Sequence, residues 1–165
     1  MKKKVNAFDL IQKIEKIAKE RITQSEVVTL DQFRSLKNKL DPHVILLIED
    51  DEGMHTLLKR ILPKEDGFDL RIASDGTELA HLLDEITPDL ILMDIGLPWI
   101  NGFELTELIK THREMRKIPV LMVSGHSSDE DVKRAFTCGA DDFIKKPFTP
   151  EELKSAVLRY LNTQS

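Results

Sequence analysis

Apolar residues along this chain fall into short unbroken runs, and between the runs they recur every third or fourth position. His43-Val44-Ile45-Leu46-Leu47-Ile48 is the first unbroken run, and its continuity predicts a strand buried on both faces. The acidic trio Glu49-Asp50-Asp51 stops it. Met54, Leu57, Leu58, Ile61 and Leu62 then share one stripe, which predicts a helix closed by Pro63 and Gly67. Phe68-Asp69-Leu70-Arg71-Ile72 alternates like a strand with one wetter face. Leu79, Leu82, Leu83 and Ile86 mark a second helix ending at Thr87-Pro88, and Leu90-Ile91-Leu92-Met93 is a buried strand running into Asp94. Phe103, Leu105, Leu108 and Ile109 predict a third helix. Pro119-Val120-Leu121-Met122-Val123 predicts a fourth strand that ends at Ser124-Gly125.

Helix ends carry their own signals. Ser127-Ser128-Asp129-Glu130 can satisfy free amides at the start of a fourth helix that turns Val132, Ala135 and Phe136 inward, with Gly139 as a left-handed C-terminal cap. Asp142-Phe143-Ile144-Lys145 is a short last strand. Thr149-Pro150-Glu151-Glu152 combines a cap, a proline at the first helical position and a capping-box glutamate, and Leu153, Val157, Leu158 and Leu161 complete that helix. Five strands alternating with five helices make an open parallel α/β sheet with helices on both faces. Such folds bind ligands at the carboxyl ends of the strands. Glu49, Asp50, Asp94, Ser124 and Lys146 all fall at those ends.

Residues 1–41 read differently. Val5, Phe8, Ile11, Ile14, Ala18 and Ile22 recur at helical spacing, widened by Leu10 and Ile17, and Thr29-Leu30-Asp31-Gln32 caps a second helix bearing Phe33, Leu36 and Leu40. Asp41-Pro42 marks the boundary, giving an N-terminal helical extension over 1–41 and a domain over 42–165. The extension is expected either to pack as a helical hairpin or to serve as a docking or homodimerisation element. None of the five histidines lies in it, so it is no histidine phosphotransfer helix.

Composition narrows the setting. Hydrophobic residues make up 41% of the chain, enough for a core, and no apolar run approaches the roughly 20 residues that span a membrane. The single cysteine, Cys138, excludes an internal disulfide. Met1-Lys2-Lys3-Lys4 leads into an amphipathic stretch and not a secretory core, so a cytoplasmic location is expected. Residues 1–41 hold ten Lys/Arg against six Asp/Glu, which leaves 24 − 10 = 14 against 29 − 6 = 23 in the remainder. The domain at 14 − 23 = −9 is a poor candidate for contacting nucleic acid through a broad basic face.

Three carboxylates gathered in one crevice need a cation, because like charges ~4 Å apart repel by about 1–4 kcal/mol depending on the local dielectric. A hard divalent ion such as Mg²⁺ suits carboxylate oxygens, a main-chain carbonyl and retained waters, and Lys146 adds a fixed positive charge. With an incoming phosphoryl group neutralised in this way, the Asp94 carboxylate can attack it and Ser124 can hydrogen-bond one of its oxygens. Gly125 leaves the site open.

The sequence resembles the response-regulator receiver domain of two-component signalling through Ile48-Glu49-Asp50-Asp51, Met93-Asp94-Ile95-Gly96-Leu97-Pro98, Val123-Ser124-Gly125 and Lys145-Lys146-Pro147-Phe148. The resemblance covers roughly residues 43–162, with all four motifs in order and on the right elements. It implies a flavodoxin-like, chemotaxis-regulator-like sheet of strand order 2-1-3-4-5. Asp94 becomes the phospho-acceptor, Glu49 and Asp50 with Asp94 and the Gly96 carbonyl hold Mg²⁺, and Ser124 and Lys146 take the family's hydroxyl and lysine roles. Phe143 matches the aromatic position that moves with Ser124, and the Lys146-Pro147 bond would be cis. The metal pair leaves Asp51 as a helix N-terminal charge and Lys145 as the lesser of the two lysines.

The implied function is a phosphorelay switch. A histidine kinase or phosphotransfer protein donates the phosphoryl group, and the surface around the fourth helix, fifth strand and fifth helix meets a downstream protein. The chain ends four residues after Leu161, so the expected output is protein contact or the N-terminal helices, and direct transcription-factor activity is not expected. Three departures stand out. Gly96 places no side chain near the phosphoryl group, Asn101-Gly102 replaces the more usual Asp-Gly of a tight turn, and Trp99-Ile100 puts two apolar side chains, expected to pack on the third helix, in the loop after Asp94. An unphosphorylated receiver-like scaffold and an aspartyl-phosphate phosphatase are the alternatives, the latter lacking the second acid it needs at Gly96. No enzymatic turnover is expected.

Overall fold

The computed structural model describes residues 41–162, together with Lys16. The helices expected over 1–41 and the homodimer considered for them lie outside the described residues. The chain divides into two units at Asp41, and the architecture below is that of the second.

Strands β1 (His43–Ile48), β2 (Phe68–Ala73), β3 (Leu90–Met93), β4 (Val120–Ser124) and β5 (Asp142–Lys145) alternate with helices α1 (Glu52–Ile61), α2 (Gly76–Glu85), α3 (Gly102–Thr111), α4 (Asp129–Thr137) and α5 (Pro150–Asn162). All pairings are parallel and the sheet order is β2-β1-β3-β4-β5, the flavodoxin-like arrangement expected.

Successive residues of β1 point to opposite faces, and each face has its own core. Ile45 and Leu47 join Leu58 and Ile61 of α1 and Leu153, Val157 and Leu161 of α5. Leu46 and Ile48 join Leu79 of α2 and Leu105 and Ile109 of α3. A smaller cluster of Ile95, Phe103, Met122, Ala135 and Ala140 lies under α4. Helices on both faces explain why the central runs are apolar without alternation.

The caps follow the chemistry of their residues. Asp51 Oδ1 accepts from the Met54 amide at 2.6 Å and caps α1, as expected of the third acid. Ser128 and Asp131 form a capping box on α4, and the Ser128 hydroxyl holds the exposed Asp131 carboxyl below its usual range. At α5 the Thr149 amide donates to the Glu152 carboxylate and the Glu152 amide to the Thr149 hydroxyl. Gly139 has φ 101°, the left-handed conformation predicted, and a Cβ there would lie 2.9 Å from the Lys110 Cγ.

Four apolar positions assigned to buried stripes do not face the core. Phe136, expected inward, is 49% exposed, and Leu108 is 60% exposed, with Leu57 and Leu158 at the surface as well. The periodicity was satisfied by their neighbours Ala135 and Ile109, and one residue along a helix turns the side chain by about 100°. Thr106 takes a core place instead, fully buried with its hydroxyl donating to the Gly102 carbonyl at 2.8 Å.

Candidate functional site

Strand register assembles the crevice. Ile48 is level with Ala73 and with Met93, so the next residues, Glu49 and Asp94, emerge side by side. Main-chain bonds fix both: the Glu49 amide donates to the Ala73 carbonyl at 3.2 Å, and the Asp94 amide to the Ile48 carbonyl at 3.0 Å. Ser124 is level with Lys145, and the Lys146 amide donates back to the Ser124 carbonyl at 2.9 Å. Lys146-Pro147 is cis, as expected.

Lys146 crosses to the acidic side. Its Nζ donates to Glu49 Oε2 at 2.9 Å and to Asp94 Oδ1 at 3.1 Å, while Lys145 is exposed and makes neither contact. Partial burial works against the charge on Lys146, but the Glu49 hydrogen bond and the negative charges of Asp94 and Glu49 outweigh it and raise its pKa. The lysine therefore stays protonated at every physiological pH.

The remaining carboxylate oxygens are also placed. Asp94 Oδ2 accepts from the Gly96 amide at 2.8 Å, and Glu49 Oε1 accepts from the Asp51 amide at 3.2 Å. Glu49 is 3% exposed, Asp94 half-buried and Asp50 exposed, so the three acids line a crevice from floor to rim. One oxygen from each of the three lies within 4.8 Å of the other two. Three carboxylates and one ammonium sum to −3 + 1 = −2, and Lys146 is the only cation in ion-pair reach among the described residues. A hard divalent cation fits that donor set and that deficit.

Ser124 is buried at the end of β4, beside β3, and its Oγ accepts from the His126 amide at 3.1 Å, which leaves the hydroxyl proton to donate elsewhere. A Cβ built on Gly125 meets nothing within 4 Å, so the approach over Ser124 is open. A Cβ on Gly96 would stand 3.3 Å from Asp94 Oδ2; a side chain there would sit directly beside the Asp94 carboxylate. Phe143 is half-buried against the small cluster under α4.

The loop after Asp94 differs from the expectation at Gly102 and meets it at Trp99 and Ile100. Gly102 is not a turn glycine: a Cβ there would collide with the Asp94 carbonyl and lie 2.7 Å from Ile95 Cα, so the missing side chain lets α3 start directly against the end of β3. Asn101 supplies the cap, accepting from the Phe103 amide at 2.9 Å. Trp99 and Ile100 pack on the cluster shared by α2 and α3, with the Trp99 ring 3.3 Å from the Cβ position of Gly76 at the start of α2. The indole nitrogen is the one buried side-chain N or O without a partner among the described residues.

His55 had no role in the sequence pattern. Its Nε2 lies 2.7 Å from the main-chain carbonyl of Glu49. Helical periodicity gives no signal for such a contact, because the ring reaches back beyond its own helix.

Comparison with known proteins agrees with this fold. The sequence profile described as response regulator receiver domain matches residues 45–158. The transcriptional regulatory protein YcbL of Bacillus subtilis is 40% identical over 112 residues, 68% of this chain and 48% of that protein. The DNA-binding response regulator MtrA of Mycobacterium tuberculosis is 34% identical over 113 residues, again 68% of this chain and 48% of the other. The chain thus spans about half the length of the curated relatives it matches. Among solved structures, the receiver domain of the sensor histidine kinase PA1611 from Pseudomonas aeruginosa, with magnesium coordinated in its active-site cleft, is 26% identical. It superposes with a TM-score of 0.65 over 73% of this chain and 98% of that one.

Proposed function

The chain belongs to the response-regulator receiver family, and on that premise we propose that it is a phosphorylation-dependent switch with Asp94 as the phospho-acceptor and Mg²⁺ as the bound cation. The single observation that carries the reading is the acidic cluster of Glu49, Asp50 and Asp94 bridged by Lys146. Glu49, Asp50, Asp94 and the Gly96 carbonyl are the proposed metal ligands. The ion supplies positive charge against the phosphoryl oxygens.

The residues divide the transfer between them. An Asp94 oxygen forms the new bond to phosphorus as the donor's bond breaks, and the leaving group, the imidazole of a phosphohistidine, departs with the electron pair. Lys146 offsets charge on the transferred group, and the Ser124 hydroxyl donates to one of its oxygens. Ser124 and half-buried Phe143 then bias a pre-existing equilibrium of the α4, β5 and α5 surface. The phosphoryl donor is a histidine kinase or phosphotransfer protein, and the output is contact with another protein.

The protein is read as a switch that undergoes no multiple turnover, in the cytoplasm. Among the described residues no helix is long and apolar enough to cross a membrane. That the domain makes no nucleic-acid contact of its own rests on its −9 charge (14 − 23); MtrA is by name DNA-binding, but the match spans 48% of its length.

Incubation with acetyl phosphate and Mg²⁺ is expected to label the wild type, and Asp94→Asn to abolish the label. Normal labelling of that variant would sink the assignment.

A further inference from the structure

We infer that His55 is a positioning residue for the divalent cation, acting through the main chain of the turn that carries Glu49 and Asp50. The inference rests on the reading of the acidic cluster as a cation site. It concerns a side chain that touches neither the cation nor the phosphoryl group.

The turn between β1 and α1 holds three consecutive carboxylates, Glu49, Asp50 and Asp51, whose mutual repulsion favours opening it. Several ties oppose that. The Glu49 amide is bound to the Ala73 carbonyl of β2, Glu49 Oε1 accepts from the Asp51 amide, and Asp51 Oδ1 accepts from the Met54 amide. None of these fixes the peptide plane between Glu49 and Asp50. That plane is what aims the Asp50 side chain, because the Glu49 carbonyl and the Asp50 amide rotate together.

His55 grips the turn at both ends. Its own amide donates to the Asp51 carbonyl at 3.1 Å, and its ring, with the proton on Nε2, donates to the Glu49 carbonyl at 2.7 Å. Glu49 is 3% exposed, so its carbonyl has little access to water as a substitute partner. The imidazole therefore holds one carbonyl of the acidic turn and, through it, the orientation of Asp50. Without the ring, that peptide can rotate, and the Asp50 oxygen leaves the 4.8 Å cluster it shares with Glu49 and Asp94.

The test is a Mg²⁺ titration of the full chain followed by the fluorescence of Trp99, its only tryptophan. Changing a partner that orients a metal ligand typically weakens binding about 10- to 100-fold, and His55→Ala is expected at the lower end, roughly tenfold. His55→Gln, whose amide nitrogen can take the place of Nε2, is expected to recover most of that affinity. Ile61→Val, a buried change at the far end of α1, lowers the melting temperature but should leave the Mg²⁺ affinity unchanged. Wild-type affinity in His55→Ala would overturn the inference, and so would equal weakening in the Ala, Gln and Ile61→Val variants, which would mark a purely structural loss. Failure of the wild type to bind Mg²⁺, or undiminished binding by Asp50→Asn, would instead overturn the cation site itself.

Discussion

The two ends of the sheet gather the same residue types and treat them in opposite ways. At the amino ends of the strands, Asp89 Oδ2 accepts from the Val44 amide at 2.7 Å, and Asp141 Oδ2 accepts both from the Val120 amide at 2.8 Å and from Lys110 Nζ at 2.6 Å. Lys110 also donates to the Ile118 carbonyl, and the Tyr160 hydroxyl to the Asp141 carbonyl. Asp89 and Asp141 are each matched by a main-chain amide, and Asp141 by a lysine as well. At the carboxyl ends, three carboxylates within 4.8 Å share one ammonium. Glu49 and Asp94 also accept a main-chain amide and the Lys146 ammonium, but with Asp50 beside them the cluster keeps a surplus of negative charge, and that surplus awaits a cation. The difference lies in local charge balance and not in residue type.

The comparison predicts opposite responses to removing an acid. At the scaffold end, Asp141→Ala leaves the amide of fully buried Val120 without its acceptor and strips Lys110 of its carboxylate. The expected loss is about 3 kcal/mol in unfolding free energy, the upper range for a hydrogen bond involving a charged group. Urea denaturation measures it. A loss within error of zero would mean that the amino-end network is ornamental and that the contrast with the acidic crevice fails.

Cation binding should be confined to the other end. Mg²⁺ at about a hundred times its dissociation constant stabilises a single-site protein by about 2.7 kcal/mol. Asp141→Ala should keep that increment, because the two clusters share no side chain and distant effects add. Asp94→Asn should lose most of it. Thermal melts with and without Mg²⁺ separate the cases, and loss of the increment in Asp141→Ala would show that the two ends are coupled.

Sequence periodicity reached as far as the main-chain pattern reaches. The runs at His43–Ile48, Leu90–Met93 and Val120–Val123 needed no tertiary knowledge, since helices on both faces leave a strand no polar side. The acidic trio and Asp94 were legible because each interrupts an apolar run at its carboxyl end, whereas the pair within the trio and Lys146 over Lys145 were singled out by the resemblance to the receiver family. Phe136 and Leu108 were misplaced because an apolar residue one step off the buried stripe looks like a wider stripe. Gly102 was legible as a glycine but not for its reason: a collision with the carbonyl of Asp94, eight residues earlier (102 − 94 = 8), exists only once α3 is laid on β3. His55 was invisible, because its partner is a main-chain carbonyl and carbonyls carry no sequence signature.

The smallest effect is the most discriminating, because its sign is reversed. In metal-free protein at low ionic strength, Asp50→Asn removes one of three mutually repelling carboxylates while keeping the shape of the side chain. Asp50 is exposed and the pair repulsion is therefore near its aqueous value, so stability should rise by up to about 1 kcal/mol. Added salt should shrink the gain, since screening already weakens the repulsion in the wild type. Asp89→Asn, the same chemical change at the amino end, replaces a charged acceptor of the Val44 amide by a neutral one and should lower stability. Paired urea titrations in EDTA give both signs at once. If Asp50→Asn also destabilised the metal-free protein, Asp50 would be part of the scaffold like Asp89, and the charge deficit at the carboxyl ends would not mark a cation site.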